Sequence, residues 1–386
     1  MKPGEIKKRS FWLKLIEQKW QRSILWLTGV RRVGKTVLCK SIKGAEYFDC
    51  ELPRVRRLME DSEGFLESVK DQAIVLDEIH RLENPSQLLK IAADHFPGTK
   101  IIATGSSTLG ASSRFKDTLA GRKTDLLMTP MVAGDLVDFD CIDLQRRFLR
   151  GGLPPFFLED HLPESWFQEW VDAFWAKDIQ ELFRLERRHS FQKFLELLLA
   201  QSGGIFEASR LARPCEVSRT TIGNYLSVLE ATFIVAVIRP FSTSRPAEIV
   251  AAPKVYGFDT GFVCYFKGWH KLRPDDMGVL WEHYVLNELQ AQLQTRRIHY
   301  WRDKRGHEVD FVLVERGGIP VAIECKWSAS SFDPSGMQAF RRQYEKGENY
   351  VVVNDVDKPV RRSFGTISVI LTTIPDLIKA LQADGR

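Results

Sequence analysis

Short apolar runs alternate with stretches of helical spacing over the first 140 residues. Such runs, bounded by polar residues or glycine, are typical of buried strands. Strands that alternate with helices favour a parallel sheet with helices on both faces. The sequence therefore predicts an α/β domain over residues 1–140, with strands at 24–29, 46–49, 73–78 and 100–106.

The pattern changes three more times along the chain. A helical stretch rich in Trp, Phe and Leu comes first, followed by short helices and two strand-like runs. Gly268 and Pro274 then favour a linker, and a long helix with strands at 298–302, 308–314 and 319–325 follows it. The predicted regions are 1–140 as the first α/β domain, 141–200 as a helical lid or linker, 201–272 as a winged-helix-like domain and 273–386 as a second α/β domain.

Composition excludes several classes of protein. Of 386 residues, 44% are hydrophobic and 27% charged, which are globular values and exclude a disordered or collagenous chain. The sequence has no run of about 18 apolar residues and no apolar signal segment near its start, so we expect no membrane association. Six scattered cysteines without CxxC spacing indicate reduced thiols, and we expect a cytoplasmic protein.

Basic residues concentrate near the start of the chain, although the net charge is only +5. The first 40 residues contain eleven Lys or Arg and two Glu. A basic face there would attract the phosphates of a nucleotide or of DNA. A solvated helix surface explains the same residues equally well.

Residues 29–36 form a complete GxxxxGK[ST] motif between a predicted strand and a predicted helix. In that context the backbone N–H groups of the loop surround phosphate oxygens. We expect Lys35 to contact the β- and γ-phosphates of ATP and Thr36 to ligate Mg²⁺. The predicted nucleotide-binding residues in this loop are Gly29, Val30, Arg31, Arg32, Val33, Gly34, Lys35, Thr36 and Val37.

Two acids follow the apolar strand at 73–78. Asp77 is predicted to hold Mg²⁺ and Glu78 to polarise the attacking water, because the carboxyl ends of α/β strands carry ligand sites. The alternative is an acidic cap for the helix near Pro85. Ser106, after the next strand, is predicted to contact the nucleotide, although a Ser-rich turn explains it equally well. Arg122 is a candidate for stabilising transition-state charge.

Residues 207–230 have the spacing of two short helices packed around a turn, with Ser218 as N-cap of the second. The outward residues of that helix are of types that contact bases or phosphates. A lid or a protein-contact module is the alternative to DNA binding. The predicted DNA-binding residues are Arg219, Thr220, Thr221, Asn224 and, at the tip of a predicted wing, Arg245.

Three charged residues lie on neighbouring apolar strands near the C-terminal end: Asp310 on one, and Glu324 and Lys326 on the next. An Asp followed by ExK on the next strand is the arrangement of PD-(D/E)XK nucleases. Asp310, Glu324 and Glu282, on the preceding helix, would hold Mg²⁺, and Lys326 would orient or deprotonate water. The pattern is short, and a binding platform without cleavage explains it as well.

The ordered series of motifs resembles a large family of bacterial and archaeal AAA-type ATPases with a C-terminal domain of unknown function. The resemblance rests on GVRRVGKT, IVLDEIH, IIATGSS, LAGR, GGLP, WAKDI, PKVYGFDTG, GVLWEHYVLNEL, GHEVDFVLV and AIECK. It implies an AAA-type parallel sheet flanked by helices, then a winged helix, then a restriction-endonuclease-like α/β domain. One departure concerns PMVAGDL, where the family has PLSFxEF; there Asp135 takes the acidic position.

The sequence as a whole predicts Mg²⁺-dependent ATP hydrolysis coupled to DNA. ATP and Mg²⁺ are the expected cofactors, DNA is the expected partner, and a homo-oligomer is compatible with the sequence. The alternative is an ATP-controlled regulatory switch with an inert nuclease-like domain and protein partners.

Overall fold

The computed structural model describes residues 7–105, 118–180, 183, 187–242, 252–314 and 317–384. The chain divides into two compact units. Unit 1 takes in the chain up to Leu144 together with 152–188 and 227–234, and unit 2 takes in 145–151, 189–226 and the chain from Val235 onward.

Five parallel strands form one sheet in the described part of unit 1, in the order β2-β3-β4-β1-β5. The inner strands are buried on both faces, as expected for a parallel sheet covered by helices. This confirms the parallel α/β expectation. The strands are β1 (Ile24–Thr28), β2 (Ala45–Asp49), β3 (Ala73–Asp77), β4 (Lys100–Thr104) and β5 (Lys123–Leu127).

Short helices cover this sheet, and a core that includes Trp26, Leu76 and Ile101 fills the space between them. A π-helical turn, Trp175–Gln180, follows the last of these helices. Such turns are rare and occur frequently at functional sites. The helices are α1 (Ser10–Lys19), α2 (Lys35–Lys40), α3 (Pro53–Leu58), α4 (Ser62–Ser68), α5 (Pro85–His95), α6 (Ala133–Asp138), α8 (Pro154–Leu158) and α9 (Ser165–Phe174), and α7 (Leu144–Arg150) passes into unit 2.

A second sheet runs through unit 2, and its described strands follow the order β13-β14-β12-β11-β10-β9-β7-β8-β6. Strands β9, β10 and β11 are an antiparallel meander, whereas β12 is parallel to β11. The strands are β6 (Gly204–Ile205), β7 (Val235–Pro240), β8 (Lys254–Gly257), β9 (His299–Arg302), β10 (Glu308–Val314), β11 (Pro320–Cys325), β12 (Asn349–Val352), β13 (Val360–Phe364) and β14 (Ile367–Thr372).

The helices of unit 2 alternate with these strands. One set has the order α10, β6, α11, α12, β7, β8, and the next has α14, three strands, α15 and β12. The helices are α10 (Arg188–Ala200), α11 (Ala208–Ala212), α12 (Arg219–Ala231), α13 (Thr260–Lys267), α14 (Pro274–Leu293), α15 (Ser335–Gln343) and α16 (Ile374–Asp384). Of these, the first residue of α10 and residues 227–231 of α12 belong to unit 1.

The predicted boundary at 272/273 falls inside unit 2. Strand β7 pairs with β9, with Arg239 opposite His299, so the sheet of the predicted winged-helix region continues into the C-terminal sheet. The sequence marks the linker by glycine and proline but contains no local signal for pairing between residues 60 apart.

None of the helices in the described ranges is long and apolar enough to cross a membrane. All six cysteines are unpaired, in agreement with the prediction of reduced thiols.

Candidate functional site

The GxxxxGKT loop lies where the sequence predicts it, between β1 and α2. Gly34 has φ of +106° and precedes Lys35, the first residue of α2. Gly29 has φ of +146°, and a Cβ there would lie 2.3 Å from the backbone oxygen of Met128. Only glycine fits this first position, because a side chain would meet backbone that cannot move aside.

We expect Gly29→Ala to reduce nucleotide affinity about tenfold or more, because the loop must shift to relieve the contact with Met128. Gly44→Ala is the matched control, since Gly44 also has positive φ, +76°, but open space around the added carbon. Fluorescent-nucleotide titration with thermal unfolding of both variants checks this. Equal affinities would contradict the steric argument.

The ammonium group of Lys35 is held inside the loop itself. Its Nζ donates to the carbonyl oxygens of Gly29 at 2.8 Å and Val30 at 3.1 Å. Burial lowers the pKa of Lys35, while the carboxylates of Glu78, Asp178 and Asp77 act in the opposite direction. Lys35 is therefore positioned at the loop, where a bound phosphate would replace carbonyl oxygens as its partner.

The carboxyl end of β3 presents Asp77 beside this loop, because β4 alone separates β3 from β1. Asp77 is buried, and its Oδ2 accepts a hydrogen bond from the hydroxyl of Tyr47 at 2.6 Å. Its Oδ1 accepts one from Thr104, the last residue of β4. The same Thr104 hydroxyl accepts the backbone N–H of Glu78 at 3.0 Å.

Glu78 is held in a left-handed backbone conformation with φ of +54°. Its Oε2 lies 3.1 Å from Nδ1 of His80. Burial raises the pKa of Glu78, but the hydrogen bond from His80 and the charge of Lys35 outweigh it, so the pKa lies below its ordinary value. The carboxylate is consequently ionised at neutral pH, as a group that polarises water must be.

A cavity of about 850 Å³ opens at the loop, which is the size of a nucleotide site. Its polar lining residues include Lys35, Thr36 and Glu78. Its apolar lining residues include Phe139, Leu158, Trp166 and Phe174. The predicted loop residues that line the cavity are Gly29, Val30, Arg31, Arg32, Gly34, Lys35, Thr36 and Val37.

The π-helical turn supplies a residue that the motif alone does not indicate. Asp178 accepts a hydrogen bond from Nε of Arg31 at 2.9 Å, and the indole N–H of Trp170 donates to the carbonyl of Arg31 at 3.3 Å. Arg31 is thus paired with a carboxylate at the cavity wall.

Arg122 and Ser106 are also predicted for the nucleotide site, and neither prediction is confirmed in the described part of the chain. Arg122 forms a two-point ion pair with Asp94, with Nε to Oδ1 at 2.6 Å and Nη2 to Oδ2 at 3.1 Å. It is not among the described residues that line the cavity. Ser106 lies outside the described residues, so its role stays a prediction.

Helix α12 has the polar and apolar faces predicted for the second helix of a helix-turn-helix. Arg219, Thr220 and Asn224 are exposed and Thr221 is half-buried, whereas the opposite face buries Tyr225 against Phe191. The predicted N-cap is confirmed, because Ser218 Oγ accepts the N–H of Thr221 at 3.0 Å. Arg245 lies outside the described residues.

The C-terminal carboxylates meet at adjacent strands of unit 2. Phe311 of β10 pairs with Ile323 of β11, and Asp310 and Glu324 are the next residues of these two strands. The pairing of β10 with β9 shifts its register at this point, between Val309 and Val312. Lys326 Nζ lies 2.7 Å from Oε1 of Glu324 and 3.9 Å from Oδ2 of Asp310. The three predicted residues therefore share one site.

Further charged residues extend this group, which we name the carboxylate cluster: Asp310, Glu324, Lys326, Glu282, Glu308 and Lys254. Glu282 accepts a hydrogen bond from the hydroxyl of Tyr256 at 2.5 Å and lies 3.5 Å from Nζ of Lys254. Lys254 is buried and also pairs with Glu308. Neither Lys254 nor Tyr256, both on β8, is indicated by the D…ExK pattern.

The electrostatics of the cluster bear on cation binding. Burial and the charge of Asp310 raise the pKa of Glu324 and of Glu282 above their ordinary values. Oε2 of Glu324 is buried with no hydrogen-bond partner among the described residues. An orphaned oxygen beside crowded carboxylates fits a hard cation, which prefers oxygen ligands. As placed, however, no group of three or more His, Cys, Asp or Glu in the described chain is arranged to hold a metal ion.

Comparison with known families gives a match for the region that contains the GxxxxGKT loop. Residues 21–137 match the family model described as an AAA domain. The N-terminal unit carries an AAA domain. Residues 142–273 and 277–375 match two models described as domains of unknown function, DUF8612 and DUF4143. The chain is thus a P-loop protein with an AAA domain and a C-terminal DUF4143 domain.

Curated relatives align with most of the length of this chain. Uncharacterized proteins of Mycobacterium bovis and Mycobacterium tuberculosis are each 27% identical over 331 residues, which is 83% of this chain and 74% of theirs. A solved Walker-type ATPase of Pyrococcus abyssi is 14% identical, with a TM-score of 0.42 over 68% of this chain and 96% of that one. The match to an AAA domain supports ATP binding and hydrolysis.

Proposed function

We propose that this protein is a Mg²⁺-dependent ATPase whose nucleotide cycle acts on DNA. One observation carries the ATPase part: the loop around Lys35 and the acids Asp77 and Glu78 lie at the same edge of the sheet. Thr104 links the two acids to each other by hydrogen bonds. The matched AAA domain supports the same activity. The DNA part rests on the helix α12 and the carboxylate cluster.

In the ATP site each residue of the chain has a distinct role. Lys35 binds the phosphates, and the loop N–H groups orient them. Thr36 and Asp77 would hold Mg²⁺. Each carboxylate oxygen of Asp77 accepts one hydrogen bond from a hydroxyl, that of Tyr47 or Thr104, and keeps a lone pair for the metal. Bound Mg²⁺ neutralises charge on the phosphates. Glu78, held by His80, orients the attacking water and accepts its proton.

The order α10, β6, α11, α12, β7, β8 supports a winged helix. Strand β8 pairs antiparallel with both β6 and β7, which makes the small sheet that such a domain places behind its helices. Helix α12 exposes Arg219, Thr220 and Asn224, as a helix in the major groove does. We therefore assign DNA contact to this helix.

Arg219→Ala is expected to weaken duplex binding and to reduce the slope of log K against log salt by about 0.9, because one phosphate contact is lost. Arg342→Ala, exposed on α15, is the matched control and should leave the slope unchanged. Titration of a labelled duplex at several salt concentrations measures both. An unchanged slope for Arg219→Ala would make α12 a protein-contact helix.

In unit 2 we propose metal-dependent cleavage of a phosphodiester bond. The order of elements in this part of unit 2 supports a restriction-endonuclease-like fold. Helix α14 is followed by the antiparallel strands β9, β10 and β11, then by α15, and then by β12, which is parallel to β11. Asp310 and Glu324, with Glu282 nearby, would hold the metal, which activates water when bound. Lys326 would orient that water toward the phosphorus.

A specific observation favours the second candidate, a regulatory switch with an inert nuclease-like domain. Lys326 pairs with both Asp310 and Glu324, and Lys254 pairs with Glu282 and Glu308. Two ammonium groups thus supply part of the positive charge that a metal would bring. Cleavage by the purified protein separates the two candidates.

A further inference from the structure

The segment before the matched AAA residues contacts helix α6 and the turn that follows this helix. Lys7 Nζ lies 2.7 Å from Oδ2 of Asp140, and the N–H of Ser10 donates to Asp138 at 2.6 Å. Basic residues near the start of the chain therefore have partners within the chain itself. The strongest of these contacts is made by Arg9.

Arg9 forms a buried two-point ion pair with Asp135. Its Nε lies 2.8 Å from Oδ1 and its Nη2 lies 2.5 Å from Oδ2, while Arg9 is only 4% exposed and Asp135 is 0% exposed. Asp135 also accepts the indole N–H of Trp12 at 3.2 Å and the N–H of Val132 at 2.9 Å. A buried carboxylate with four donors is fully compensated, so the pair fixes the guanidinium rigidly.

The third contact of this guanidinium is to the phosphate loop. Nη1 of Arg9 donates to the carbonyl oxygen of Val33 at 2.6 Å and lies 3.3 Å from where a Cβ of Gly34 would be. A carbonyl held by a cation cannot turn toward an anion in the loop. The contact therefore favours a loop whose N–H groups, and not its oxygens, face phosphate.

We propose that Arg9 is a positioning residue for the phosphate loop and that Asp135 holds it in place. The inference rests on the proposed role of that loop in binding the phosphates of ATP. It assigns a function to the segment before the AAA residues and to the acid that departs from the family pattern. Lysine could not replace Arg9, because one ammonium cannot span both Asp135 oxygens and Val33 in this planar arrangement.

The test separates positioning from simple anchoring of α1. Arg9→Met alone leaves the buried carboxylate of Asp135 without a charged partner and can therefore unfold the protein. We compare it with the double variant Arg9→Met/Asp135→Leu, which replaces both charges by apolar groups. We expect the double variant to fold with a melting temperature near that of the wild type but to bind fluorescent ADP about 10- to 100-fold more weakly. KM for ATP should rise in the same proportion, and Arg9→Lys should restore binding only in part.

Hydrogen exchange provides a readout that does not depend on catalysis. Amides of residues 30–34 should exchange faster in nucleotide-free Arg9→Lys than in the wild type, whereas Lys14→Met, which changes an exposed residue of α1, should leave them unchanged. Wild-type ADP affinity and wild-type loop exchange in a folded double variant would overturn the inference. Lys35→Ala distinguishes failure of the Arg9 inference from failure of the proposed nucleotide site. If Lys35→Ala also binds ADP with wild-type affinity, the proposed nucleotide site itself is wrong.

Discussion

Substitution of Lys35 by alanine is expected to abolish ATP hydrolysis, with a fall of about 10³-fold or more, and to weaken ATP binding. The ammonium is a positive charge held inside the loop, with carbonyl contacts at 2.8 and 3.1 Å that a phosphate would replace. Phosphate-release assays and fluorescent-nucleotide titration measure the two effects. Lys40→Ala, at the end of the same helix, is the matched control and should behave as wild type.

Glu78→Gln tests the other half of the same site. It keeps the shape of the side chain but loses the proton acceptor, so we expect near-normal ATP binding and hydrolysis slowed by about 10²- to 10⁴-fold. The backbone contact between Glu78 and Thr104 does not involve the carboxylate and should persist. Wild-type turnover in this variant would remove Glu78 from the mechanism and direct attention to Asp178, another of the acids at the cavity wall.

The sequence predicted the parts of the ATP site that are contiguous. Periodicity identifies β1, β3 and β4 because these strands are buried on both faces and appear as uninterrupted apolar runs. Strand β5 escaped prediction because Lys123–Leu127 lies at a sheet edge and is only partly buried. Thr104 escaped too: its role depends on β4 lying between β1 and β3, which is a property of strand order.

The other features that the sequence did not predict are contacts between residues far apart in the chain. Arg9 and Asp135 are 126 residues apart, and Arg31 and Asp178 are 147 apart, so no local pattern relates them. In unit 2, the ExK spacing indicated Glu324 and Lys326 correctly as neighbours, but Lys254 and Tyr256 enter the cluster only through pairing of β7 with β9 and β8. Strands β12 to β14 were not predicted.

Asp310→Asn is expected to abolish DNA cleavage in Mg²⁺ or Mn²⁺ while leaving ATP hydrolysis intact. The amide keeps an oxygen for the N–H of Cys325, which Asp310 accepts at 2.8 Å, so the fold should survive. It removes one of the negative charges that a divalent ion requires. Burial would still raise the pKa of Glu324, but the further increase caused by the charge of Asp310 would be lost. Nicking of supercoiled plasmid over time, with and without chelator, measures the loss.

Asp357→Ala, an exposed acid outside the cluster, is the matched control and should cleave as the wild type does. Binding of Mn²⁺ adds a readout independent of turnover, because Asp310→Asn should weaken it and Asp357→Ala should not. A wild-type protein that binds no Mn²⁺ at this site and cleaves no form of DNA would exclude the nuclease. In that case Lys326 and Lys254 are the permanent partners of these carboxylates, and the cluster stabilises a sheet that serves the regulatory switch.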